Sequence, residues 1–264
     1  MGTAIAAIAM RNIKKITLCA FALSGMAYAE VEASVTAGAH SRYIFRGLDF
    51  AIDSDPDGGL STGNQLVDFG VDVGGSSDFG VDWYAGLWYG TTTNDSDYNE
   101  TDIYFGLTKD FGFGTADVGL VTYTYDDGTP NDSEIYLGLS TEFAGLSLGS
   151  TTSVGTGGSW DNGVYQEFTL GYGFDVSSNA SGALDLSAGL LFGNAAYAPD
   201  VDGFGTLSAT LSVEVAFSED ITLSPYVQYV FNTDDFEDAA GSNDNGQSFA
   251  RDGFLAGASV SFAF

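Results

Sequence analysis

From Val31 to Phe264 the chain alternates apolar residues with small or polar ones, one for one, in stretch after stretch. A period of two leaves room for little but β-strands. The clearest run sets Leu207, Ala209, Leu211, Val213, Val215 and Phe217 against Ser208, Thr210, Ser212, Glu214, Ala216 and Ser218. Val67, Phe69, Val71 and Val73 alternate with Asp68, Gly70, Asp72 and Gly74, and Ile135, Leu137 and Leu139 with Tyr136, Gly138 and Ser140. Gly, Asn, Asp and Ser separate the runs, and no stretch after residue 30 carries a helical period.

The pattern predicts about twelve strands, near 31–47, 64–75, 79–91, 98–109, 113–125, 132–143, 145–155, 163–176, 182–195, 204–218, 220–232 and 250–264. Most exceed the roughly five to six residues of a globular strand and match the ~9–11 that cross a bilayer at a tilt. Short turns at Ser76-Ser77-Asp78, Asp110-Phe111-Gly112, Ala144-Gly145 and Glu219-Asp220 alternate with longer connections at 48–63, 91–98, 126–131, 156–162, 196–203 and 233–249. That rhythm, with an even strand count, belongs to an all-β, antiparallel, up-and-down transmembrane barrel whose ends share one side. The final strand alternates Phe254, Ala256, Ala258, Val260, Phe262 and Phe264. A terminal aromatic there is the kind of signal read by the bacterial barrel assembly machinery. Aromatics near strand ends, among them Tyr43, Phe45, Trp83, Tyr89, Phe143 and Phe231, are expected as interfacial girdles.

The first segment reads as an address. Arg11, Lys14 and Lys15 precede the short apolar stretch Ile16–Met26, and Ala27-Tyr28-Ala29 forms an A-x-A cleavage site. The expected division is a signal peptide over 1–29 and a barrel over 30–264, placed in the bacterial outer membrane. Cys19, the one cysteine, falls in the signal, so no thiol, disulfide or cysteine metal site is expected in the barrel. Cleavage leaves four basic residues against 36 acidic ones. That balance excludes nucleic acid as a partner, while 44% hydrophobic and 14% aromatic residues exclude an acidic disordered tail. The partners expected are outer-membrane lipid, lipopolysaccharide and small solutes.

Ser41-Arg42-Tyr43-Ile44-Phe45-Arg46-Gly47 resembles the S-x-Y-x-F-R-G motif of the TorF-type porin family. Tyr84-Ala85-Gly86-Leu87-Trp88, Glu100-Thr101-Asp102-Ile103-Tyr104 and Ser133-Glu134-Ile135-Tyr136-Leu137-Gly138 extend the likeness, which covers mainly residues 35–140. Family members continue the motif with Ser-Gln where this chain has Leu48-Asp49. The resemblance implies a channel and names no solute.

Parity assigns the lumen. On the first strand His40, Arg42 and Arg46 share the inward set, and Arg251 joins them from the last strand. Facing them come Asp68, Asp72, Asp82, Asp102, Asp117, Glu142, Glu167, Asp185 and Glu214. Charges so separated make either a constriction with a transverse field or a set of internal ion pairs, with Arg42 opposite Asp68 or Asp72. Carboxylates outnumber cations in both cases, which favours cations in transit. Inward Gly70, Gly86, Gly106, Gly138, Gly171 and Gly189 keep the wall thin or serve its coiling, and inward Tyr104, Tyr123, Tyr136 and Tyr226 are candidates to plug it.

Asp53, Asp55 and Asp57 begin like a calcium loop, but position twelve is Asn64 and no helices flank it, so an EF-hand is excluded and a looser divalent site stays open. No cofactor is expected. His40 is the only histidine, and no nucleophile, base and orienter assemble around it in the sequence, so no enzyme is expected. The function that follows is a porin-like channel for passive diffusion of small hydrophilic solutes, weakly cation-selective. The competing expectation is a closed structural barrel that works through its acidic outer loops.

Overall fold

The computed structural model describes residues 31–50, 65–93, 99–126, 131–193, 202–240 and 249–264. Twelve long strands close into one antiparallel barrel. They are β1 (Val31–His40), β4 (Leu66–Ser76), β5 (Asp82–Thr92), β6 (Asn99–Asp110), β7 (Thr115–Tyr125), β8 (Asp132–Phe143), β9 (Leu146–Gly157), β10 (Val164–Ser177), β11 (Ala180–Phe192), β12 (Gly203–Ala216), β13 (Ile221–Asn232) and β14 (Gly253–Ala263). Each pairs with its neighbours in sequence, and β1 closes the ring against β14 from Ser34↔Ala263 to His40↔Gly257. The signal segment and the Asp53, Asp55, Asp57 loop lie outside the described residues.

Large apolar side chains point outward and stay uncovered, among them Ile103 (58% exposed), Leu139 (53%) and Phe254 (60%). A continuous apolar exterior of this kind is stable only against lipid. The partner residues on each strand, Ser, Thr, Gly, Tyr and carboxylates, face the lumen. β1 starts and β14 ends at one rim, here the terminal rim, where the connections are tight. Ala144 and Gly145 turn with φ of 53° and 80°, and Gly112 with 83°. Phe79, Phe113, Phe143 and Phe217 stand exposed in or beside these turns. The strand ends that lead into the longer connections lie at the opposite rim, here the loop rim.

Two features depart from the expected pattern. The first strand ends at His40 and not at residue 47. Residues 41–50 leave the wall, and Ile44–Phe45 (β2) pairs with Leu48–Asp49 (β3) as a separate two-stranded hairpin. Tyr43, Ile44, Phe45, Leu48 and Asp49 are all buried, so Tyr43 and Phe45 sit inside the barrel and belong to no lipid girdle. Tyr43-Ile44-Phe45 is three bulky residues in a row, but wall strands β5 (Leu87-Trp88-Tyr89) and β13 (Tyr229-Val230-Phe231) carry such runs as well, so the run itself gives no clear warning of the exit. The second departure is a helical turn, α1 (Asp234–Ala239), in the last long connection. Thr233 caps it by accepting from the Phe236 N–H, and three acidic residues fill its first turn.

Candidate functional site

The hairpin turns at Arg46 and Gly47, with φ of 53° and 87°. Both central residues lie in the left-handed region, as a two-residue type I′ hairpin requires. Gly47 meets this freely, and a Cβ there would stand 2.5 Å from Asn232 Oδ1. Arg46 does not, because a non-glycine residue in this region costs about 1–2 kcal/mol. What holds it is the far wall. Arg46 Nη2 donates to Glu134 Oε1 at 2.7 Å, with side chains 7% and 1% exposed. The guanidinium carbon lies 4.5 Å from the ring centroid of Tyr165, 4.7 Å from Phe45 and 5.0 Å from Trp160. Tyr123 donates to the same Glu134 oxygen at 3.0 Å.

Local sequence builds this cage. β9 runs into Gly155-Thr156-Gly157-Gly158, where the chain folds back on itself. A side chain on Gly155 would overlap the Trp160 carbonyl, and Gly158 takes φ +76° against Asp132. The glycine run thereby tucks Trp160 into the lumen, 2% exposed, stacked at 5.6 Å and 12° on Phe45. In sequence the run reads only as loop.

Further anchors span the lumen. Tyr43 donates to Glu100 at 2.6 Å, and its ring lies 5.7 Å from Trp88. Asn232 Nδ2 donates to the Gly47 carbonyl at 3.0 Å. Leu48 bridges to Ala250 and packs with Leu191, Tyr165 and Phe236 of α1. Ile44 packs on Val230 and Leu255.

The predicted basic cluster is therefore divided. Arg42 does not reach Asp68 or Asp72. Its Nε donates to Asp49 at 2.8 Å within the hairpin, because the chain has left the wall before Arg42. Arg251 precedes β14 and approaches the same carboxylate at 3.5 Å. Arg46 crosses to the opposite wall. His40, the last residue of β1, bridges two other strands. Its Nε2 lies 3.1 Å from Asp68 Oδ2 and its Nδ1 2.9 Å from the Tyr226 hydroxyl. Gly38 and Gly257 leave the space that the imidazole fills, and Trp88 donates to Asp68 at 3.1 Å.

Below the hairpin the lumen changes character. Tyr104 bonds Asp72, Tyr84 bonds Asp117 at 2.9 Å, and Tyr84 bonds Tyr136. Each ring lies across the glycine paired with it on the next strand: Tyr104 over Gly86, Tyr84 over Gly106 and Tyr136 over Gly119. A Cβ at any of these glycines would fall within the ring or hydroxyl above it. These tyrosines thus lie along the wall, and the inward glycines make room for them. Of the four proposed plugging tyrosines, Tyr123 belongs to the buried core around the hairpin, and Tyr104 and Tyr226 pack against its edges.

Asp82 and Glu142 at the terminal rim are exposed, and Asp72, Asp117, Asp185 and Glu214 are partly exposed. Asp102 and Glu167 lie nearer the loop rim, Asp102 buried. The wall from β9 to β14 carries short polar groups, such as Ser187 bonded to Ser208 at 2.8 Å and Gln228 bonded to Thr210 at 2.9 Å. Of the described basic residues none faces the terminal half of the lumen. Lys109 takes the outward parity of β6, with its Nζ 3.4 Å from the Phe79 carbonyl.

No family model and no curated protein matches the chain. Among solved structures it is similar to the NanC porin (TM-score 0.54, 14% identity, covering 87% of this chain and 98% of that one). It is also similar to the KdgM porin (0.49, 9%, 88% and 99%) and to the COG4313 outer membrane channel from Pseudomonas putida F1 (0.47, 10%, 89% and 95%). At such identities the likeness is one of fold.

Proposed function

We propose that this chain is a porin-like channel of the bacterial outer membrane, passing small hydrophilic solutes with a preference for cations, and narrowed at its loop rim by the 41–50 hairpin. One observation carries the reading. In the terminal half of the lumen, partly exposed carboxylates face one another with no basic residue among the described ones to neutralise them. A wall of that charge raises the local concentration of cations and repels anions. The porins it resembles in fold support the channel; the selectivity rests on the carboxylates alone. Lipid and lipopolysaccharide are the surroundings that suit the apolar exterior, and the terminal Phe264 suits the assembly machinery.

The test is current through the folded barrel in a planar bilayer under a potassium chloride gradient. Discrete steps with a cation-sided reversal potential support the reading. An anion-sided potential overturns the selectivity.

The hairpin favours a second reading, a closed structural barrel. Tyr43, Phe45, Trp160 and Tyr123 form a packed layer across the loop half, each less than 10% exposed. Silence from the demonstrably folded protein, with currents once the hairpin is removed, decides for closure by this layer.

A further inference from the structure

The seat of Arg46 is built like a binding site. One wall-borne carboxylate, Glu134, lies 1% exposed at the bottom. Tyr165 and Trp160 present their rings within 5.0 Å of the guanidinium carbon. Tyr123 orients the carboxylate by donating to it. All four groups belong to the barrel wall or the loop after β9, and none to the hairpin. Carboxylate plus aromatic faces is the chemistry that recognises a planar, delocalised cation.

The occupant is held less well than the seat is made. Arg46 takes a left-handed backbone. Around the inserted hairpin, Asp102 Oδ1, Asn232 Oδ1 and Arg251 Nε are buried without a hydrogen-bond partner. Groups left that way oppose the packed state and are relieved once water reaches them. The hairpin also joins the barrel through few backbone bonds, chiefly Ser41 N–H to Ala256 and Asp49 N–H to Phe249.

We propose that the Glu134 cage is a recognition site for guanidinium-bearing solutes, and that Arg46 is its built-in stand-in, holding the constriction closed until such a solute takes its place. The site rests on the channel reading for its purpose and on its own geometry for its existence. A solute entering from the loop rim competes with Arg46 for Glu134. Once it wins, the hairpin loses its ion pair to β8 and is held by Tyr43 at Glu100, by Phe45 at Trp160 and Tyr123, and by its contacts near β1, β13 and β14.

The experiment measures binding apart from conduction. Arg46→Gly empties the cage and suits the left-handed turn, so the hairpin retains its fold. Should heat-modified gel mobility show that variant unfolded, Arg46→Gln serves in its place. Methylguanidinium is titrated calorimetrically into the folded variant in detergent micelles at constant ionic strength, with tetramethylammonium and sodium as comparators. Saturable binding of methylguanidinium is expected. Adding Glu134→Gln should weaken it about tenfold or more, the scale of one charge-assisted hydrogen bond. Wild type, with the cage filled, should bind more weakly than Arg46→Gly.

Absence of binding to a folded variant overturns the proposal, as does equal binding of the comparators or indifference to Glu134→Gln. Binding in a protein that conducts nothing leaves the cage standing and removes the channel. Conduction without binding does the reverse.

Discussion

The two halves of the lumen use the same residue types to opposite ends. Toward the loop rim, Arg, Tyr, Trp and carboxylate are buried and committed to one another: Arg46 to Glu134, Tyr43 to Glu100, Arg42 to Asp49. Toward the terminal rim, tyrosines and aspartates again meet, but the rings are laid over glycines and the carboxylates stay in reach of water. The difference lies in what stands opposite. Above, a hairpin supplies cations and rings from the middle of the lumen. Below, nothing described crosses it. A barrel wall of one composition thus yields a packed layer where a segment folds inward and a charged vestibule where none does.

The comparison can be broken most forcefully at Glu134. Glu134→Gln leaves the Arg46 guanidinium buried and unpaired, a loss of about 3–5 kcal/mol for a buried pair. The inserted hairpin should give way, and single-channel conductance or open time should rise several-fold while the barrel itself stays folded. Unchanged currents would mean that the hairpin contributes nothing to the constriction.

Next in size is a change below. Gly86→Leu or Gly106→Leu puts a side chain where a tyrosine ring lies, and overpacking of this kind costs about 1–3 kcal/mol. Lower thermal stability and a narrower conductance are expected together, since the displaced ring has only the lumen to enter. The paired change Gly86→Leu with Tyr104→Ala should recover both.

A smaller effect separates charge from packing. Asp72→Asn with Asp117→Asn should move the reversal potential toward zero and hardly alter melting, because partly exposed charges contribute less than about 1 kcal/mol each. If the reversal potential instead follows Glu134→Gln, selectivity belongs to the loop half.

The smallest concerns α1. Partial burial raises the Glu237 carboxyl above its usual range, and Asp252, Asp234 and Asp238 reinforce the shift. An acid raised on folding destabilises the folded form once its unfolded counterpart ionises, so the penalty is absent in acid and present at neutral pH. Glu237→Gln should therefore raise the melting temperature slightly at pH 7 and not at pH 3, by calorimetry.

Period-two alternation was enough to place eleven of the twelve wall strands within about three residues of their observed bounds, because each strand faces two different media and its pattern is forced on both sides. The exception is the first strand. Tyr43-Ile44-Phe45 is no bulkier than runs within wall strands β5 and β13, and Arg42 and Arg46 kept the inward parity, which together concealed the exit from the wall. Parity says which face a residue takes, and it is silent on what reaches that face from across the lumen. Hence Glu134, Glu100, Asp49 and Trp160, which hold the hairpin, had no place among the predicted site residues. Gly47 directly after the bulky run, a residue free to take the left-handed backbone of a hairpin turn, was the clue available. The tyrosine and glycine pairs were legible only as two separate lists, since strand register was needed to set one upon the other.

Those pairs also bear on how the barrel is put together. Tyr84 faces Gly106 while Gly86 faces Tyr104, a reciprocal arrangement between β5 and β6. A slip of two residues preserves every inward and outward face, so hydrophobicity cannot detect the error. It would, however, bring Tyr84 opposite Tyr104, or leave both rings without a hollow. The glycines act in this respect as a proofreading key, rejecting misaligned strand pairs that lipid alone would accept.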